Sequence, residues 1–265
     1  MIPVHVVQFS DFHLFAKPDS KLLGVVTEES FQGVFAQIKA LQPRPDLLLM
    51  TGDLSQDGSE AAYLRIHQYL APLAIDTFWL AGNHDRLPNM AATLTHPPLS
   101  PDKTFQRGNW SFTLLNSLLP GKDSGFLSRK NLHILQASLE VSARLGQHAV
   151  VALHHPPFLV GSAWLDTTTL QYANRLFEVL DQFSHVRLVL FGHIHQEFHQ
   201  QRRGVDYWGC PSTCIQFLPK SHEFRLEVIP PGFRQVWLYP DGTYRTQVQR
   251  VPAALRCPDL RLGGY

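Results

Sequence analysis

The sequence predicts an α/β protein built around a parallel β-sheet, on two observations. Over residues 1–80, short apolar segments with strand character alternate with longer segments in which apolar residues recur at helical spacing. The later apolar segments at 149–153 and 186–191 are flanked by helical patterns in the same way. Such alternation favours parallel pairing with right-handed crossover connections. The 265 residues show no repeat, low-complexity linker or composition break, so we expect one domain over residues 1–265.

The first five elements follow the order β-α-β-α-β. Thr27 is the expected N-cap of the first helix, where Glu28 and Glu29 favour the first turn. The second strand contains the run Leu-Leu-Leu-Met, which is typical of a strand buried on both faces. The predicted elements are strands at 4–9, 46–51 and 77–80 and helices at 27–41 and 59–70.

The middle of the chain continues the alternation, and the last part is predicted to be all-β. A proline-rich connection at 95–101 leads to a predicted hairpin, and Ser128 and Gly146 delimit a long helix. A further helix is expected to start at Thr168 or Thr169. Residues 1–195 would then form the βα core, 196–251 a C-terminal β region and 252–265 an irregular tail. The remaining predicted strands are 104–105, 110–115, 149–153, 186–191, 196–200, 205–208, 224–229, 233–239 and 243–251, the remaining helices are 128–145 and 168–183, and 118–125 and 158–167 are loops.

Composition excludes several classes of protein. A formal net charge of +1 argues against a general binder of nucleic acid or of membrane surfaces, which needs a basic face. No apolar run approaches the roughly 20 residues that span a bilayer, and the N-terminus lacks the basic region of a signal peptide. The cysteines Cys210, Cys214 and Cys257 have no metal-type spacing, so we expect a reducing cytoplasm.

Five apolar strands end in polar residues of the kinds that bind metal ions. In open α/β sheets, sites lie beyond the carboxyl ends of the strands, so segments far apart in sequence can converge there. Glycines at 52, 82 and 192 are expected to let the backbone turn beside such a site. The polar residues are Asp11 and His13, then Asp53, then Asn83, His84 and Asp85, then His154 and His155, and finally His193 and His195.

The chemistry of this set points to a pair of transition-metal ions. A lone Asp or His after a strand is usually a turn or core residue, but five such segments in order predict a site. Without Asp85, the set offers two carboxylates, one amide oxygen and several imidazoles but no thiolate, which suits Mn, Fe or Zn better than Ca. The set is too large for one tetrahedral ion and suits two ions that share a bridging carboxylate.

The ordered motifs resemble the signature of the calcineurin-like metallophosphoesterases. The sequence around them resembles that of the bacterial class III 3′,5′-cyclic AMP phosphodiesterases, although Phe12 and Asn116 depart from the usual pattern. The resemblance covers nearly the whole chain and implies a four-layer α/β/β/α sandwich with two mixed sheets and a dimetal site at the carboxyl ends of the strands. The supporting stretches are residues 10–15, 51–57, 162–166, 192–197 and 211–217.

The resemblance also implies roles for individual residues. His154 is preferred over His155 as a ligand because it is nearer the strand end, and His155 would then lie outside the ligand set. The implied ligands of metal 1 are Asp11, His13, Asp53 and His195, and those of metal 2 are Asp53, Asn83, His154 and His193. The implied substrate-binding residues are His13, Asp53, Asn83, His84 and His195.

The mechanistic hypothesis is hydrolysis of 3′,5′-cyclic AMP to 5′-AMP. A hydroxide between two ions, Fe or Mn or else Zn, would attack phosphorus in line with the ribose 3′ oxygen. His84 would donate a proton to that leaving oxygen, with Asp85 orienting His84 and holding it protonated. Two divalent ions, two carboxylates and one hydroxide together carry a net charge of about +1. A site with this charge suits a phosphodiester monoanion.

Several alternatives stay open at this point. The alternative substrates are a nucleotide diphosphate, a glycerophosphodiester and a phosphomonoester, and a further alternative is a scaffold without activity. Trp164 is either an adenine-stacking residue or a loop anchor. The segment 211–217 either lines the nucleotide pocket or connects two strands. The expected partner is the cyclic nucleotide, with no nucleic acid or membrane, and the expected state is monomer or homodimer.

Overall fold

The fold is described by a computed structural model that covers residues 2–251 and 258–262. Within these residues, two six-stranded sheets contain all the longer strands. The strands of the two sheets are Val4–Phe9 (β1), Leu47–Thr51 (β2), Thr77–Leu80 (β3), Leu99–Ser100 (β4), Thr104–Arg107 (β5), Trp110–Leu114 (β6), His148–Ala152 (β7), Val186–Phe191 (β8), Phe198–Arg202 (β9), Val205–Gly209 (β10), Gly232–Leu238 (β11) and Tyr244–Arg250 (β12).

Helices and short strand pairs connect these strands. Three two-stranded pairs join Lys21–Leu22 to Val25–Val26, Gly125–Phe126 to Leu170–Gln171, and Gln216–Phe217 to Leu226–Glu227. Short 3₁₀ helices lie at Ala71–Leu73 and Leu165–Thr167. The α-helices are Thr27–Lys39 (α1), Glu60–Leu70 (α2), Leu87–Thr93 (α3), Arg129–Arg144 (α4) and Ala173–Leu180 (α5). Among the described residues, no helix is both long and apolar enough to cross a membrane.

Both sheets are mixed. The first has the order β12-β11-β1-β2-β3-β4, in which β1 to β4 are parallel and β11 is antiparallel to both of its neighbours. Val6 of β1, for example, lies between Leu47 of β2 and Val236 of β11. The second has the order β9-β10-β8-β7-β6-β5, with β6, β7, β8 and β10 parallel and the two edge strands antiparallel. Parallel strands that carry the polar motifs therefore occupy the middle of both sheets.

Three apolar clusters define four layers. One cluster contains residues of both sheets, such as Leu49 and Leu190, so the sheets pack face to face. A second joins the outer face of the first sheet to α1, α2 and α3 through residues such as Phe31. A third joins the second sheet to α4 and α5 through residues such as Leu135 and Leu176. This confirms the predicted α/β/β/α sandwich with two mixed sheets.

The C-terminal β region is divided between the two sheets. β9 and β10 extend the second sheet, whereas β11 and β12 extend the first. The division of one domain into a core, a β region and a tail stays a prediction. Within the predicted tail, residues 252–257 and 263–265 lie outside the described residues, and the Asp259 amide donates to the Leu23 carbonyl.

Two predicted helix starts are wrong. Thr27 is not the cap of α1, because Val26 occupies the N-cap position and Thr27 lies inside the helix. The helix expected from Thr168 or Thr169 begins only at Ala173, because residues 165–167 form a 3₁₀ turn and Leu170–Gln171 pairs with Gly125–Phe126. The strand expected at 224–229 is only two residues long, and α3 was not expected. Tertiary pairing overrides local propensity at these positions.

Candidate metal centre

All seven predicted ligands lie just after the carboxyl ends of five parallel strands. Asp11 and His13 follow β1, Asp53 follows β2 and Asn83 follows β3, all in the first sheet. The segments after β7 and β8 approach from the second sheet and supply His154, His193 and His195. Six of the seven side chains are buried and Asn83 is half-buried. The site is thus built between the two sheets, at the carboxyl ends of the strands.

The backbone at the ligands is held in an uncommon conformation. Side-chain-bearing residues rarely adopt positive φ, and each such residue costs roughly 1–3 kcal/mol, a strain that is concentrated at functional sites. The Asp11 amide donates to the Gly52 carbonyl at 3.0 Å, and the His13 amide to the Asp53 carbonyl at 3.0 Å, so β1 and β2 brace each other there. The ligands with positive φ are Asp11 (58°), His13 (51°), Asp53 (49°), His193 (68°) and His195 (50°).

At Gly82 and Gly192, other atoms lie so close to the backbone that no side chain fits, and the backbone conformation itself does not require glycine. A Cβ atom on Gly82 would lie 2.7 Å from the Asp53 carboxylate carbon, and one on Gly192 would lie 2.9 Å from Asp11 Oδ2. Neither residue has positive φ, in contrast to Gly52 at 98°. Any side chain at position 82 or 192 would therefore displace a predicted ligand.

The first group of donor atoms comprises those of Asp11, His13 and His195, which lie within 4.8 Å of one another. His13 Nδ1 donates to the Gln56 amide oxygen at 2.6 Å, and His195 Nδ1 donates to the Ile215 carbonyl at 3.0 Å. With Nδ1 protonated on both rings, each Nε2 carries a lone pair, and the two Nε2 atoms lie 3.2 Å apart. Asp11 Oδ1 lies 3.4 Å from His195 Nε2. A cation bound between these atoms would satisfy their converging lone pairs.

A second pair of candidate ligand atoms belongs to Asp53 and His154. His154 Nδ1 donates to the Thr51 carbonyl at 2.8 Å, and Nε2 lies 3.1 Å from Asp53 Oδ2. Burial lowers the pKa of His154, but the charge of Asp53 and their hydrogen bond outweigh it and raise the pKa to about 9. Because histidine binds a metal ion through a deprotonated nitrogen, Nε2 would have to release this proton to hold one.

A third pair joins His193 to Asn83. His193 Nδ1 lies 3.1 Å from Asn83 Oδ1, and the donor atoms of Asp11, Asp53 and His154 form a further group within 4.8 Å. Because an amide oxygen only accepts, this contact is a hydrogen bond when Nδ1 carries the proton, and when it does not, a cation between the two atoms would satisfy both lone pairs. The donor set, with oxygen and imidazole nitrogen ligands, fits two transition-metal ions. The assignment of each residue to one ion stays a prediction.

His155 is close to the ligands but is engaged elsewhere. Its donor atoms lie within 4.8 Å of those of His154 and His193, which by distance alone makes it a further candidate ligand. However, Nδ1 is hydrogen-bonded to the Ser117 hydroxyl at 2.8 Å and Nε2 donates to the Asp123 carbonyl at 3.1 Å. Both ring nitrogens are occupied, which favours His154 as the ligand.

His84 lies at the rim of the site. Its ring meets the His13 ring edge-on with centroids 5.1 Å apart, and its backbone amide donates to Asp53 Oδ1 at 2.9 Å. The side chain is half-buried, so it is accessible to a bound molecule. This position is compatible with a proton donor, and that role stays a prediction.

The Asp85 side chain is hydrogen-bonded to the backbone that follows Asp53 and to the start of its own loop. Its buried carboxylate accepts four different donors, and burial, followed by the charge of Asp53, raises its pKa to about 6. These bonds give Asp85 a structural role that was not foreseen, and its orientation of His84 stays a prediction. The four donors are the amides of Leu54, Ser55 and Gly82 and the hydroxyl of Tyr63.

An aromatic cluster covers one side of the site. Phe217 stacks on the ligand His195 with centroids 4.1 Å apart and planes 7° apart. Trp164 meets Phe217 and Phe224 edge-on at 4.9 and 5.0 Å. Trp164 therefore anchors its loop against the 211–217 segment.

Several residues that orient the ligands were missed in the sequence. Gln56 orients His13, and the carbonyls of Thr51 and Ile215 orient His154 and His195. Backbone carbonyls leave no trace in a sequence because every residue has one. Gln56 lies three residues after Asp53, and only that proximity could have drawn attention to it.

Known proteins with similar sequences are phosphodiesterases by name. A 3′,5′-cyclic-nucleotide phosphodiesterase of Nostoc sp. is 46% identical over 254 residues, which are 96% of this chain and 95% of that protein. The 3′,5′-cyclic adenosine monophosphate phosphodiesterase CpdA of Vibrio vulnificus is 40% identical over 263 residues, 99% of this chain and 95% of that protein. The crystal structure of a dimetal phosphatase from Danio rerio matches with a TM-score of 0.68 at 14% identity, covering 94% of this chain and 99% of that one, and shows that the fold is shared.

The family assignment follows from the extent of the match. The family model described as calcineurin-like phosphoesterase matches residues 4–197. This range contains every predicted ligand, from Asp11 to His195, and extends over both halves of the metal centre. The chain belongs to the calcineurin-like phosphoesterase family.

Proposed function

We propose that this chain hydrolyses 3′,5′-cyclic AMP to 5′-AMP at a centre of two metal ions. The observation that carries the proposal is the convergence of three facing pairs of donor atoms, His13 with His195, Asp53 with His154, and Asn83 with His193. The names and full-length similarity of the relatives from Nostoc sp. and Vibrio vulnificus support the choice of a cyclic nucleotide as substrate.

The ligand assignment is part of this proposal. Asp11, His13, Asp53 and His195 would hold metal 1, and Asp53, Asn83, His154 and His193 would hold metal 2, with Asp53 common to both sets. Bound ions of this kind lower the pKa of water and polarise phosphoryl oxygens. The neutral amide of Asn83 leaves more positive charge at metal 2 than a carboxylate would. We expect Fe or Mn, with Zn as a further possibility, and elemental analysis of the purified protein tests this.

The chain itself supplies the proton for the leaving group. Hydrolysis releases the ribose 3′ oxygen, a poor alkoxide leaving group that needs a proton as the bond breaks. His84 lies at the rim beside His13, half-buried and accessible to the substrate. We assign the proton donation to His84, and substrate contacts to His13, Asp53, Asn83, His84 and His195.

A substrate panel tests the proposal. The metal-loaded protein is assayed on 3′,5′-cyclic AMP, 3′,5′-cyclic GMP, 2′,3′-cyclic AMP and an aryl phosphodiester. We expect the highest kcat/KM on 3′,5′-cyclic AMP. Equal values across the panel would overturn the specific substrate and leave a general phosphodiesterase. Fewer than two ions per chain, with activity unchanged in Asn83→Ala, would overturn the dimetal mechanism.

We also propose a cytoplasmic location and a monomeric or homodimeric state. Of the cysteines that the structure describes, Cys210 and Cys214 are free buried thiols, which suits a reducing compartment. Cys257 lies outside the described residues. Light scattering of the purified protein tests the oligomeric state.

A further inference from the structure

The His193 ring is held at both of its nitrogens. Nε2 lies 2.8 Å from the Thr168 hydroxyl, and Nδ1 lies 3.1 Å from Asn83 Oδ1. The other three histidines among the proposed ligands are oriented by the Thr51 carbonyl, the Ile215 carbonyl and the Gln56 amide oxygen, which are pure acceptors. A hydroxyl both donates and accepts, so the contact with Thr168 does not by itself fix the proton on His193.

A second bond of the same hydroxyl favours one direction. Thr168 Oγ1 lies 2.8 Å from the Leu165 carbonyl, which can only accept. When the hydroxyl proton lies on the Leu165 carbonyl, the hydroxyl oxygen accepts the Nε2 proton of His193, and this is the arrangement that leaves Nδ1 deprotonated for a metal ion. Nδ1 is then the bare nitrogen, and it faces Asn83, the proposed partner ligand of the same ion.

We infer that Thr168 is a positioning residue for metal 2. Through the series Leu165 carbonyl, Thr168 hydroxyl and His193 ring, it holds His193 in the tautomer that presents Nδ1 to the ion. Outer residues of this kind change metal affinity by about 10–100-fold when they are replaced. The inference rests on the ligand assignment in the proposed function, and it concerns metal 2 rather than metal 1.

The backbone on both sides of Thr168 is held in place by hydrogen bonds, which fixes the position of its hydroxyl beside His193. Thr168 is the C-cap of the 3₁₀ helix at Leu165–Thr167, and its amide also donates to the Leu165 carbonyl at 2.9 Å. The pairing of Leu170–Gln171 with Gly125–Phe126 fixes the chain on the other side. An α-helix starting at Thr168 would remove this turn, which accounts for the later start of α5.

The test is a comparison of Thr168→Val with Thr168→Ser. Valine has a similar shape but lacks the hydroxyl, whereas serine keeps it. Thr167→Val is the matched control, because the Thr167 hydroxyl donates to the Trp164 carbonyl in the same turn. Apo protein of each form is titrated with Mn²⁺, and free and bound Mn²⁺ are counted by electron paramagnetic resonance. The spectrum also distinguishes a spin-coupled pair from a lone ion.

We expect two Mn²⁺ per wild-type chain. In Thr168→Val the weaker site should lose about 10–100-fold in affinity while the tighter site is unchanged, and the signal of the coupled pair should give way to that of a lone ion. Thr168→Ser and Thr167→Val should bind as the wild type does. The melting temperatures of the apo forms show whether each variant folds, and Thr168→Ala replaces the valine variant if that one does not.

Three outcomes would overturn the inference. The first is two tight sites in the folded valine or alanine variant, and the second is an equal loss at both sites. The third is a wild-type chain that holds fewer than two ions, which overturns the ligand assignment as well. Loss of preference for 3′,5′-cyclic AMP in the substrate panel, with Mn²⁺ binding intact, overturns the proposed substrate and leaves the role of Thr168 standing.

Discussion

The Gln8 side-chain amide donates to the backbone carbonyl of Phe191 at 3.1 Å, and this bond joins the two sheets next to the metal centre. The same nitrogen donates to the Thr51 hydroxyl at 3.0 Å. Gln8 belongs to β1, Thr51 ends β2 and Phe191 ends β8, so one buried amide ties together three strands that lead into ligand segments.

Replacing Gln8 with Met should lower the free energy of unfolding by about 1–3 kcal/mol. The substitution keeps the shape of the side chain but leaves a buried carbonyl and a buried hydroxyl without this donor. Urea denaturation in a chelator measures the loss without a contribution from metal. Gln136→Met is the control, because Gln136 bonds Glu140 on an exposed helix surface and should change stability by less than about 0.5 kcal/mol. Equal stabilities of the two variants would show that the bond is unimportant.

Asp85→Asn should destabilise the fold as well as slow the reaction. The Asp85 carboxylate accepts hydrogen bonds from three backbone amides and from Tyr63, whereas the NH₂ group of an asparagine can only donate. We therefore expect the free energy of unfolding to fall by about 1–3 kcal/mol. Tyr63→Phe should cost about 1 kcal/mol, and the double variant should cost less than the sum because the two residues share a bond. Wild-type stability of the metal-free Asp85→Asn protein, combined with a large fall in kcat, would limit Asp85 to the role of orienting His84.

His84→Ala should affect substrates according to their leaving groups. Loss of a general acid typically costs about 10²–10⁴-fold in rate, so kcat on 3′,5′-cyclic AMP should fall by that range. A nitrophenyl diester, whose leaving group needs no proton, should lose much less. His133→Ala, on the exposed face of α4, serves as the control. Equal losses on both substrates would exclude proton donation by His84.

The stability of the protein should depend on Lys103 at alkaline pH. Burial lowers the pKa of this lysine to about 7, partly offset by Asp102, while an unfolded lysine has a pKa of about 10.4. Between these values the unfolded state binds more protons, so wild-type stability rises with pH relative to Lys103→Met. We expect the difference to change by about 1–3 kcal/mol from pH 6.5 to 9.5.

The measurement is urea denaturation of wild type and Lys103→Met at several pH values. Lys130→Met removes an exposed lysine and should follow the wild-type pH dependence. A pH-independent difference between wild type and Lys103→Met would mean that Lys103 stays charged in the fold. In that case its contacts with Trp79, whose carbonyl accepts from Nζ at 2.6 Å and whose ring lies 3.4 Å from Nζ, would offset the cost of burial.

The location of the site was predictable because it depends on a general property of parallel strands. Strands that run in the same direction end at the same edge of a sheet, so the polar residues after β1, β2 and β3 lie together, and those after β7 and β8 join them because the two sheets pack face to face. The two-sheet sandwich came from the family resemblance, since the spacing of apolar residues does not reveal which strands share a sheet. Strand order depends on contacts between residues such as Val6 and Val236, which lie far apart in the sequence.

The parts that escaped prediction depend on single polar contacts. Thr168 looked like the start of a helix because Thr is a common N-cap, but its hydroxyl is used by His193 and Leu165. Asp85 looked like a ligand or an orienting residue for His84, but its bonds reach back to the chain after Asp53. Such contacts are set by the assembled fold, and no local pattern encodes them.

The position of β11 has a consequence for how the chain is made. β1 is synthesised before the other strands of its sheet, yet one of its two neighbours, Gly232–Leu238, is synthesised more than two hundred residues later. Until then one side of β1 is an unpaired edge, which is open to pairing with other chains. A fragment that stops after residue 197 would hold every proposed ligand and still expose that edge. Pairing with the C-terminal strand β11 removes that open edge of β1 from the finished sheet.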